Sequence, residues 1–199
     1  MDKTLRIMTY NSTGLASDKQ QFINDVLGTY SPDVIFLQET WLLNSRINPV
    51  LCNINDKYMA NGVSAISDDE ILIGRPYGGV GVMWKRSLAQ NVKFRKVPGT
   101  KRACALEVDI SGRKLLLVYL YMPVDNQRKH RVDVTFMDTL DSVEVFLEDF
   151  LSHDIIIGGD MNLDLTRCNA HDMYFKDFME QFDLIHTFHL PSADNGYIL

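Results

Sequence analysis

The chain has 199 residues, of which 46% are hydrophobic and 23% are charged, and its formal net charge at pH 7 is −6. This length supports one compact domain with a buried interior, and the composition excludes a disordered chain. No signal-peptide core follows Met1, and the longest apolar run, Leu115 to Pro123, is less than half of what a membrane span needs. We therefore expect a soluble intracellular protein without a membrane partner.

The charged residues are unevenly distributed. The segment from Trp84 to Arg131 holds twelve Lys and Arg residues but three acidic residues, so the remainder of the chain is strongly acidic. Two explanations are open: solvated strand edges, or a basic face for a polyanion beside an acidic pocket for a cation. The three cysteines, Cys52, Cys104 and Cys168, are far apart and odd in number, which predicts reduced thiols rather than a disulfide framework or a zinc site.

The first third of the chain predicts a strand, a helix and a second strand. Leu5–Tyr10 has the alternation of a strand, and Asp18 is a candidate cap for a helix over Lys19–Tyr30, which Ser31-Pro32 ends. Val34–Leu37 is apolar on both faces and predicts a central strand covered on both sides. The helix should bury the stripe Phe22, Ile23, Val26 and Leu27.

The rest of the chain is rich in strands and then alternates helix, strand and helix. The long helix is predicted over Val132–Leu151, a short buried strand over Ile155–Ile157, and a last helix over Asp172–Gln181. Together these elements predict a single α/β (α+β) domain with helices on its outer faces. The strands are predicted over Glu70–Ile73, Val80–Trp84, Val92–Lys96, Ala103–Ile110 and Lys114–Met122.

Polar residues follow the two N-terminal strands, at the strand ends where open α/β sheets place their sites. Asn11 stands before a glycine-containing turn, where an Asn is usually a turn residue. Glu39 ends an apolar run, so its carboxylate should be partly buried and needs donors or a cation. Both a salt bridge and a hard divalent ion such as Mg²⁺ satisfy that need.

Two further polar clusters follow later strands. Alternation places Tyr119 and Tyr121 on one face, although a tyrosine with a satisfied hydroxyl in the core explains either ring. Gly158-Gly159 after the Ile155–Ile157 strand allows a tight turn close to a ligand. If the chain stays extended there, Asp160 and Asn162 face one pocket as a base or metal ligand and an orienting amide; a simple Asp/Gly turn is the alternative.

The order of these four clusters resembles the endonuclease/exonuclease/phosphatase superfamily, over residues 5 to about 190. The resemblance implies a DNase I-like four-layer sandwich of two packed mixed β-sheets flanked by helices. It implies Asn11, Tyr121, Asp160 and Asn162 as catalytic residues, and Mg²⁺ or Mn²⁺ held chiefly by Glu39, with Asn11 and Asp160 beside it. In such a site the ion polarises a phosphate oxygen while Asp160 takes a proton from the attacking water.

Within the superfamily, the segment Gly74–Gly81 is similar to the endonuclease domains of non-LTR (LINE-type) retrotransposons. A glycine-rich turn that leads into a strand is an alternative explanation of its sequence Arg-Pro-Tyr-Gly-Gly. The resemblance implies a nuclear enzyme whose partner is DNA and whose nick leaves a 3′-hydroxyl for target-primed reverse transcription. Arg75, Tyr77 and Arg128 are the candidate substrate-binding residues.

Two departures from the family pattern are visible. Thr13 stands where repair endonucleases have an aspartate, and no Ser-x-x-Asp-His type motif precedes Leu199. We therefore expect a C-terminally incomplete single domain over residues 1–199, lacking its last strands, open to association through sheet edges and weak or inactive in nicking. The histidines at positions 153, 171, 186 and 189 are expected at the surface or in packing roles.

Two other functions remain open at this point. One is a phosphodiesterase or phosphatase that acts on lipid or inositol phosphates, which predicts no steep salt dependence of binding to duplex DNA. The other is an inactive remnant that serves as a binding module. Target-site preference and oligomeric state do not follow from the sequence.

Overall fold

The structure is a computed structural model that describes residues 4–69, 71, 74–124, 132–166 and 169–185. Within these ranges it contains eight strands, four α-helices and one short 3-10 helix. In chain order these are β1 (Ile7–Asn11), α1 (Ser17–Tyr30), β2 (Val34–Gln38), α2 (Asn44–Ile54), β3 (Tyr58–Val63), β4 (Val80–Lys85), the 3-10 helix (Arg86–Asn91), β5 (Val92–Lys96), β6 (Ala103–Ile110), β7 (Arg113–Tyr121), α3 (Val134–Glu148), β8 (Asp154–Asp160) and α4 (Ala170–Gln181).

The first sheet has the strand order β1-β2-β4-β3. β1 and β2 are parallel, with Asn11 beside Gln38, whereas β4 runs antiparallel to both β2 and β3. All five residues of β2 are buried, as expected for a strand covered on both faces. α1 and α2 cover the outer face through Ile23, Leu27, Ile47 and Leu51.

The second sheet has the order β5-β6-β7-β8, and its last pair is parallel, with Tyr121 beside Asp160. α3 and α4 cover its outer face. α3 begins at Asp133, whose carboxylate accepts from the backbone N–H groups of Thr135 and Phe136, and α4 begins with a capping box between Asn169 and its third helical residue. These caps satisfy backbone donors that the helix itself leaves unpaired.

The inner faces of the two sheets pack on each other. Phe36 and Val82 from the first sheet join Leu106, Leu117 and their neighbours from the second in one buried cluster. The predicted four-layer sandwich of two mixed sheets flanked by helices is therefore confirmed. β8 of the second sheet lies next to β1 and β2 of the first sheet. The C-terminal ends of these three strands, each of which has a parallel neighbour, therefore meet at one edge of the sandwich.

Most predicted elements are present with small shifts of their ends. The structure has the first strand, the central strand, four of the five middle strands, and all three predicted helices. The predicted end of α1 is also correct, because Ser31 adopts the left-handed conformation that closes the helix. The predicted strand over Glu70–Ile73 lies outside the described residues apart from Ile71.

Three sequence expectations are wrong. The N-cap of α1 is Ala16 rather than Asp18, which lies in the first turn, and Phe22 on the predicted buried stripe is 48% exposed. Within the described residues β8 pairs on one side only, with β7, so the strand around Ile156 is only partly buried and Ile156 is 38% exposed. Sequence reasoning also missed α2, which contains Pro49, and β3. Burial of α2 against the first sheet outweighs the backbone donor that this proline lacks.

Cys52 is exposed and Cys104 is buried, and both are free thiols, as predicted; Cys168 lies outside the described residues. Burial raises the pKa of the Cys104 thiol to about 12. In the part of the chain that the structure describes, no helix is long and apolar enough to span a bilayer.

Candidate active site

The site is built around the side-chain amide of Asn11, the last residue of β1. Its Nδ2 group donates to Glu39 Oε1 at 2.8 Å and to Asp160 Oδ2 at 3.2 Å, while its Oδ1 accepts from the backbone N–H of Thr13 at 3.1 Å. The distance between Glu39 Oε1 and Asp160 Oδ2 is therefore at most the sum of these two hydrogen-bond lengths. One amide from the first sheet therefore joins two acids, one from each sheet.

Glu39 follows β2 in a loop whose backbone is held by the segment before β4. Glu39 itself has φ 51°, and the next two N–H groups donate to the carbonyls of Gly79 and Gly78 at 3.2 and 2.9 Å. Gly79 has φ +83°, and a Cβ there would lie 2.5 Å from Thr40 Oγ1. Gly78 and Gly79 therefore allow the segment before β4 to pack closely against the Glu39 loop, and this contact fixes the direction of the Glu39 carboxylate.

Tyr121, the last residue of β7, completes the cluster from the second sheet. Its hydroxyl donates to Glu39 Oε1 at 3.2 Å. Burial, and then the charge of Glu39, raise the pKa of Tyr121 to about 12, so the hydroxyl keeps its proton at neutral pH. Arg102 lies over the Tyr121 ring, 5.6 Å from its centroid, and donates to its backbone carbonyl at 3.3 Å.

Asp160 is the last residue of β8, and the residue before it must be glycine. Gly159 has φ +141°, and a Cβ there would lie 1.9 Å from the carbonyl oxygen of Leu120 on β7. Beyond Asp160 the chain turns, since Asn162 has φ 49°, so the extended backbone that would let Asp160 and Asn162 face one pocket is not observed. The backbone N–H of Asn162 donates to Asp160 Oδ1 at 3.2 Å, and its side-chain amide donates to the Met122 carbonyl at 2.8 Å.

A second polar layer lies next to the site; the sequence singled out Tyr119 in it, but not the contacts that join Tyr119 to Thr9 and Gln38. Tyr119 stacks on Phe36, with ring centroids 4.4 Å apart, and its hydroxyl hydrogen-bonds Thr9 Oγ1. Gln38 Nε2 also donates to Thr9 Oγ1, at 2.8 Å. Burial raises the pKa of Tyr119 well above its ordinary value. The signal for this layer was present in the sequence, because alternation placed Tyr119 on the same face as Tyr121.

The donor chemistry of the site fits a hard divalent ion. Glu39 and Asp160 offer carboxylate oxygens at one half-buried edge, and Mg²⁺ is commonly held by one or two carboxylates together with water and phosphate. Among the described residues, no group of three or more His, Cys, Asp or Glu side chains could hold a metal. In this arrangement the Asn11 amino group donates to both carboxylates.

Two of the three candidate substrate-binding residues, Arg75 and Tyr77, lie beside this cluster. Arg75 is exposed and lies over the Trp41 ring, 5.5 Å from its centroid, next to the loop that carries Glu39. Tyr77 is 53% exposed and lines a cavity that Tyr121 also lines. Arg128 lies outside the described residues.

Two histidines that the sequence excluded from the site do lie elsewhere. His153 packs against Phe150, and the buried His171 packs edge-on against Phe136 and accepts the Asp133 backbone N–H at 3.0 Å. Their packing roles are as predicted. His186 and His189 lie outside the described residues.

Taken together, the fold and the site define an α/β two-sheet protein with an acidic, amide- and hydroxyl-lined cluster where strand ends of both sheets meet. The chain belongs to the endonuclease/exonuclease/phosphatase family, whose model matches residues 8–181. A search of curated proteins found no match.

Solved structures share this fold at low identity. They include an AP endonuclease from Leishmania major (TM-score 0.70, 16% identity, covering 89% of this chain and 66% of that chain). TDP2 from D. rerio, complexed with single strand DNA product, has TM-score 0.54 and 21% identity, covering 92% and 66%. A 3′ phosphatase from Neisseria, bound to a product DNA hairpin, has TM-score 0.60 and 16% identity, covering 89% and 71%. The chain thus spans about two thirds of the length of the first two.

Proposed function

We propose that the chain is a divalent-metal-dependent phosphodiesterase that cleaves DNA. The observation that carries this proposal is the bridge from the Asn11 amide to the carboxylates of Glu39 and Asp160, with the Tyr121 hydroxyl on the same Glu39 oxygen. The two carboxylates offer oxygen ligands for a cation. The neutral N–H and O–H groups beside them offer hydrogen-bond donors for a phosphate. A salt bridge, the alternative for Glu39, finds no basic partner among the described residues.

Glu39 and Asp160, beside Asn11, would hold Mg²⁺ or Mn²⁺. When bound, such an ion polarises a phosphoryl oxygen and offsets the charge that develops on it. The residues of the chain supply the rest. The amide of Asn11 and the protonated hydroxyl of Tyr121 are neutral donors that hydrogen-bond the two carboxylates. With those carboxylates engaged by the cation, the same donors become available to the phosphoryl oxygens, where they stabilise the developing charge.

Asp160 is the general base in this proposal. The attacking water gives its proton to Asp160 as its oxygen bonds to phosphorus, and the bond from phosphorus to the 3′-oxygen breaks. The leaving oxygen takes a proton from solvent, so the products are a 3′-hydroxyl and a 5′-phosphate. Asn162 holds Asp160 through its backbone N–H and is fixed by Met122, which makes it a positioning residue for the base.

DNA is the proposed substrate on two grounds. Two solved structures of the same fold are complexes with DNA, and the segment from Trp84 to Arg131 is strongly basic. The finer part of the proposal is a nuclear endonuclease of a retrotransposon, whose nick supplies the primer for reverse transcription. The Arg75–Gly79 segment supports it, since it adjoins the Glu39 loop through Gly78 and Gly79.

The test is plasmid nicking followed by primer extension. Supercoiled plasmid is incubated with excess protein and Mg²⁺, and we expect slow conversion to the open circular form that EDTA abolishes. A DNA polymerase should extend the nick without prior end repair, because the 3′ end is a hydroxyl. Asp160→Asn should remove the activity, whereas the matched control Asp164→Asn, at a half-buried loop acid that accepts a hydrogen bond from the Thr166 hydroxyl, should retain it.

Each other outcome has a defined meaning. Intact plasmid together with hydrolysis of a soluble inositol phosphate assigns the site to small phosphoesters. Metal binding by calorimetry with no hydrolysis of either substrate assigns the chain to an inactive binding module. Nicking that Asp160→Asn leaves unchanged removes the proposed site.

A further inference from the structure

The second polar layer, which consists of Thr9, Gln38 and Tyr119, joins the two sheets one step along the strands from the carboxylate cluster. Thr9 precedes Asn11 by two residues on β1, and Tyr119 precedes Tyr121 by two residues on β7. Side chains two apart on a strand lie on the same face, and here that face is turned towards the opposite sheet. The backbone that carries this layer therefore also positions residues of the site.

The Thr9 hydroxyl is the centre of the layer. It hydrogen-bonds the Tyr119 hydroxyl of the second sheet and accepts from Gln38 Nε2 at 2.8 Å within the first sheet. Gln38 ends β2, where it is the register partner of Asn11 and directly precedes Glu39. One hydroxyl contact thus links the two strands that lead into Asn11 and Glu39 to the second sheet.

Two of the three side chains are closed to solvent and held by their surroundings. Tyr119 is 1% exposed and Gln38 is 2% exposed. The Tyr119 ring lies flat on Phe36 of β2, with 4.4 Å between the ring centroids and 2° between the ring planes. Burial, and then Cys104 and Asp160, raise the pKa of Tyr119, so its hydroxyl keeps its proton. The hydroxyl therefore remains a hydrogen-bonding group at neutral pH.

Stability by itself does not account for polar groups at this place. Gln38 Oε1 is buried and has no hydrogen-bond partner in the part of the chain that the structure describes. A buried polar network with an unpaired acceptor is less stable than apolar packing, and apolar residues fill the rest of the contact between the sheets. Apolar packing is non-directional, however, whereas a hydrogen bond fixes both distance and direction. The layer is therefore suited to alignment of the sheets.

We propose that Tyr119 is a positioning residue, whose hydroxyl contact with Thr9 sets the distance between the two sheets at the edge that carries the active site. The Asn11 amide donates to one carboxylate from each sheet, at 2.8 and 3.2 Å, so both bonds form only over a narrow range of sheet separations. The inference rests on the proposed function and deepens it, because it assigns the alignment of the two carboxylates to a residue that touches neither ion nor substrate.

A matched pair of variants separates alignment from stability. Tyr119→Phe keeps the ring and removes the hydroxyl. Tyr58→Phe is the control, because Tyr58 is 3% exposed and its hydroxyl donates to the Pro32 carbonyl at 2.7 Å, at the opposite end of the first sheet. Each variant loses one buried hydroxyl contact and should lower the Tm by about 2–4 °C. An effect on the site beyond that of Tyr58→Phe is therefore positional.

The first test observes the Asn11 bridge without metal or turnover. The two side-chain N–H signals of Asn11 are recorded by NMR in EDTA. Tyr119→Phe should shift both signals and speed their exchange with solvent, because the bonds to the carboxylates lengthen. Tyr58→Phe should leave them as in wild type. Unchanged Asn11 signals in Tyr119→Phe, or equal shifts in the two variants, overturn the inference.

The second test is Mn²⁺ binding, measured by calorimetry. Tyr119→Phe should raise the Kd by roughly tenfold or more, the effect of losing a residue that orients metal ligands, whereas Tyr58→Phe should keep the wild-type Kd. A Kd of Tyr119→Phe equal to that of wild type contradicts the inference. If wild type binds no Mn²⁺, the proposed function fails, and the Asn11 signals still decide the role of Tyr119.

The third test approaches the contact from Thr9. Thr9→Ser keeps a hydroxyl, whereas Thr9→Val keeps the shape and removes it. At saturating Mn²⁺, the kcat for nicking should fall by roughly tenfold or more in Thr9→Val and Tyr119→Phe but stay near wild type in Thr9→Ser. The KM for DNA should not change, because the buried Tyr119 hydroxyl does not reach the substrate. A kcat of Thr9→Ser as low as that of Thr9→Val, or a raised KM with unchanged kcat, refutes the positioning role.

Discussion

Replacing Asn11 with aspartate should make the stability of the protein depend on a divalent ion. The change puts a carboxylate in place of the amide that now donates to Glu39 at 2.8 Å and to Asp160 at 3.2 Å. Two favourable hydrogen bonds become contacts between like charges. Three carboxylates would then share one half-buried site.

The magnitude follows from these contacts. Each lost hydrogen bond to a charged group is worth about 1.5–3 kcal/mol. Two like charges about 4 Å apart repel by about 4 kcal/mol at an effective dielectric constant of 20. Because the three groups are partly exposed and one can take up a proton, we expect a net loss of about 2–4 kcal/mol at pH 7, which lowers the Tm by roughly 5–15 °C. The loss should shrink as the pH falls, since protonation removes the repulsion.

The assay is thermal unfolding followed by circular dichroism, first in EDTA and then with increasing Mg²⁺. An ion at 100 times its Kd stabilises the folded state by about 2.7 kcal/mol, so Mg²⁺ should close most of the gap between Asn11→Asp and wild type. Asn24→Asp is the control, because the Asn24 side chain already accepts a hydrogen bond and lies away from the carboxylates. An Asn11→Asp protein as stable as wild type in EDTA, or a gap that Mg²⁺ does not narrow, refutes the reasoning.

Three further predictions concern single side chains. Tyr121→Phe removes a donor to Glu39 and should lower kcat by about 10²–10³. Since the pKa of Tyr121 is about 12, the wild-type rate should show no loss from this group between pH 7 and 10, and a fall there contradicts the assignment. Gly159→Ala places a Cβ 1.9 Å from a β7 carbonyl oxygen and should lower the free energy of unfolding by about 4 kcal/mol or more, as measured by urea unfolding. A smaller loss would mean that the backbone around Gly159 adapts. Burial is the largest single influence on the pKa of Asp33 and raises it, but the hydrogen bonds from Lys85 at 2.8 Å and from the Arg6 backbone N–H, together with the charges of Lys85 and Arg6, outweigh burial and lower that pKa. The pair's contribution, about 1–2 kcal/mol, should be present at neutral pH and lost as the pH falls through the lowered pKa. Asp33→Asn should therefore lose less stability than wild type on acidification, and parallel losses would exclude the pair.

Local pattern was sufficient for much of the fold. The continuous apolar run at Val34–Leu37 predicted a strand covered on both faces, and the spacing of Phe136, Leu140 and Val143 predicted α3, because burial of one face imposes its period on the sequence. α2 shows the limit of such reasoning. Its Pro49 disfavours a helix locally, and the helix exists because its apolar face packs on the first sheet.

The candidate site, like the fold, was predictable from the sequence only in part. The sequence determined which polar residues stand at strand ends, since Asn11, Glu39, Tyr121 and Asp160 each follow an apolar run. Only the tertiary structure decided that one amide joins both acids, because that contact depends on how two separate sheets pack. The cavity beside Tyr121 was likewise invisible in the sequence. Its walls come from segments far apart in the chain, and no local pattern encodes the distance between them.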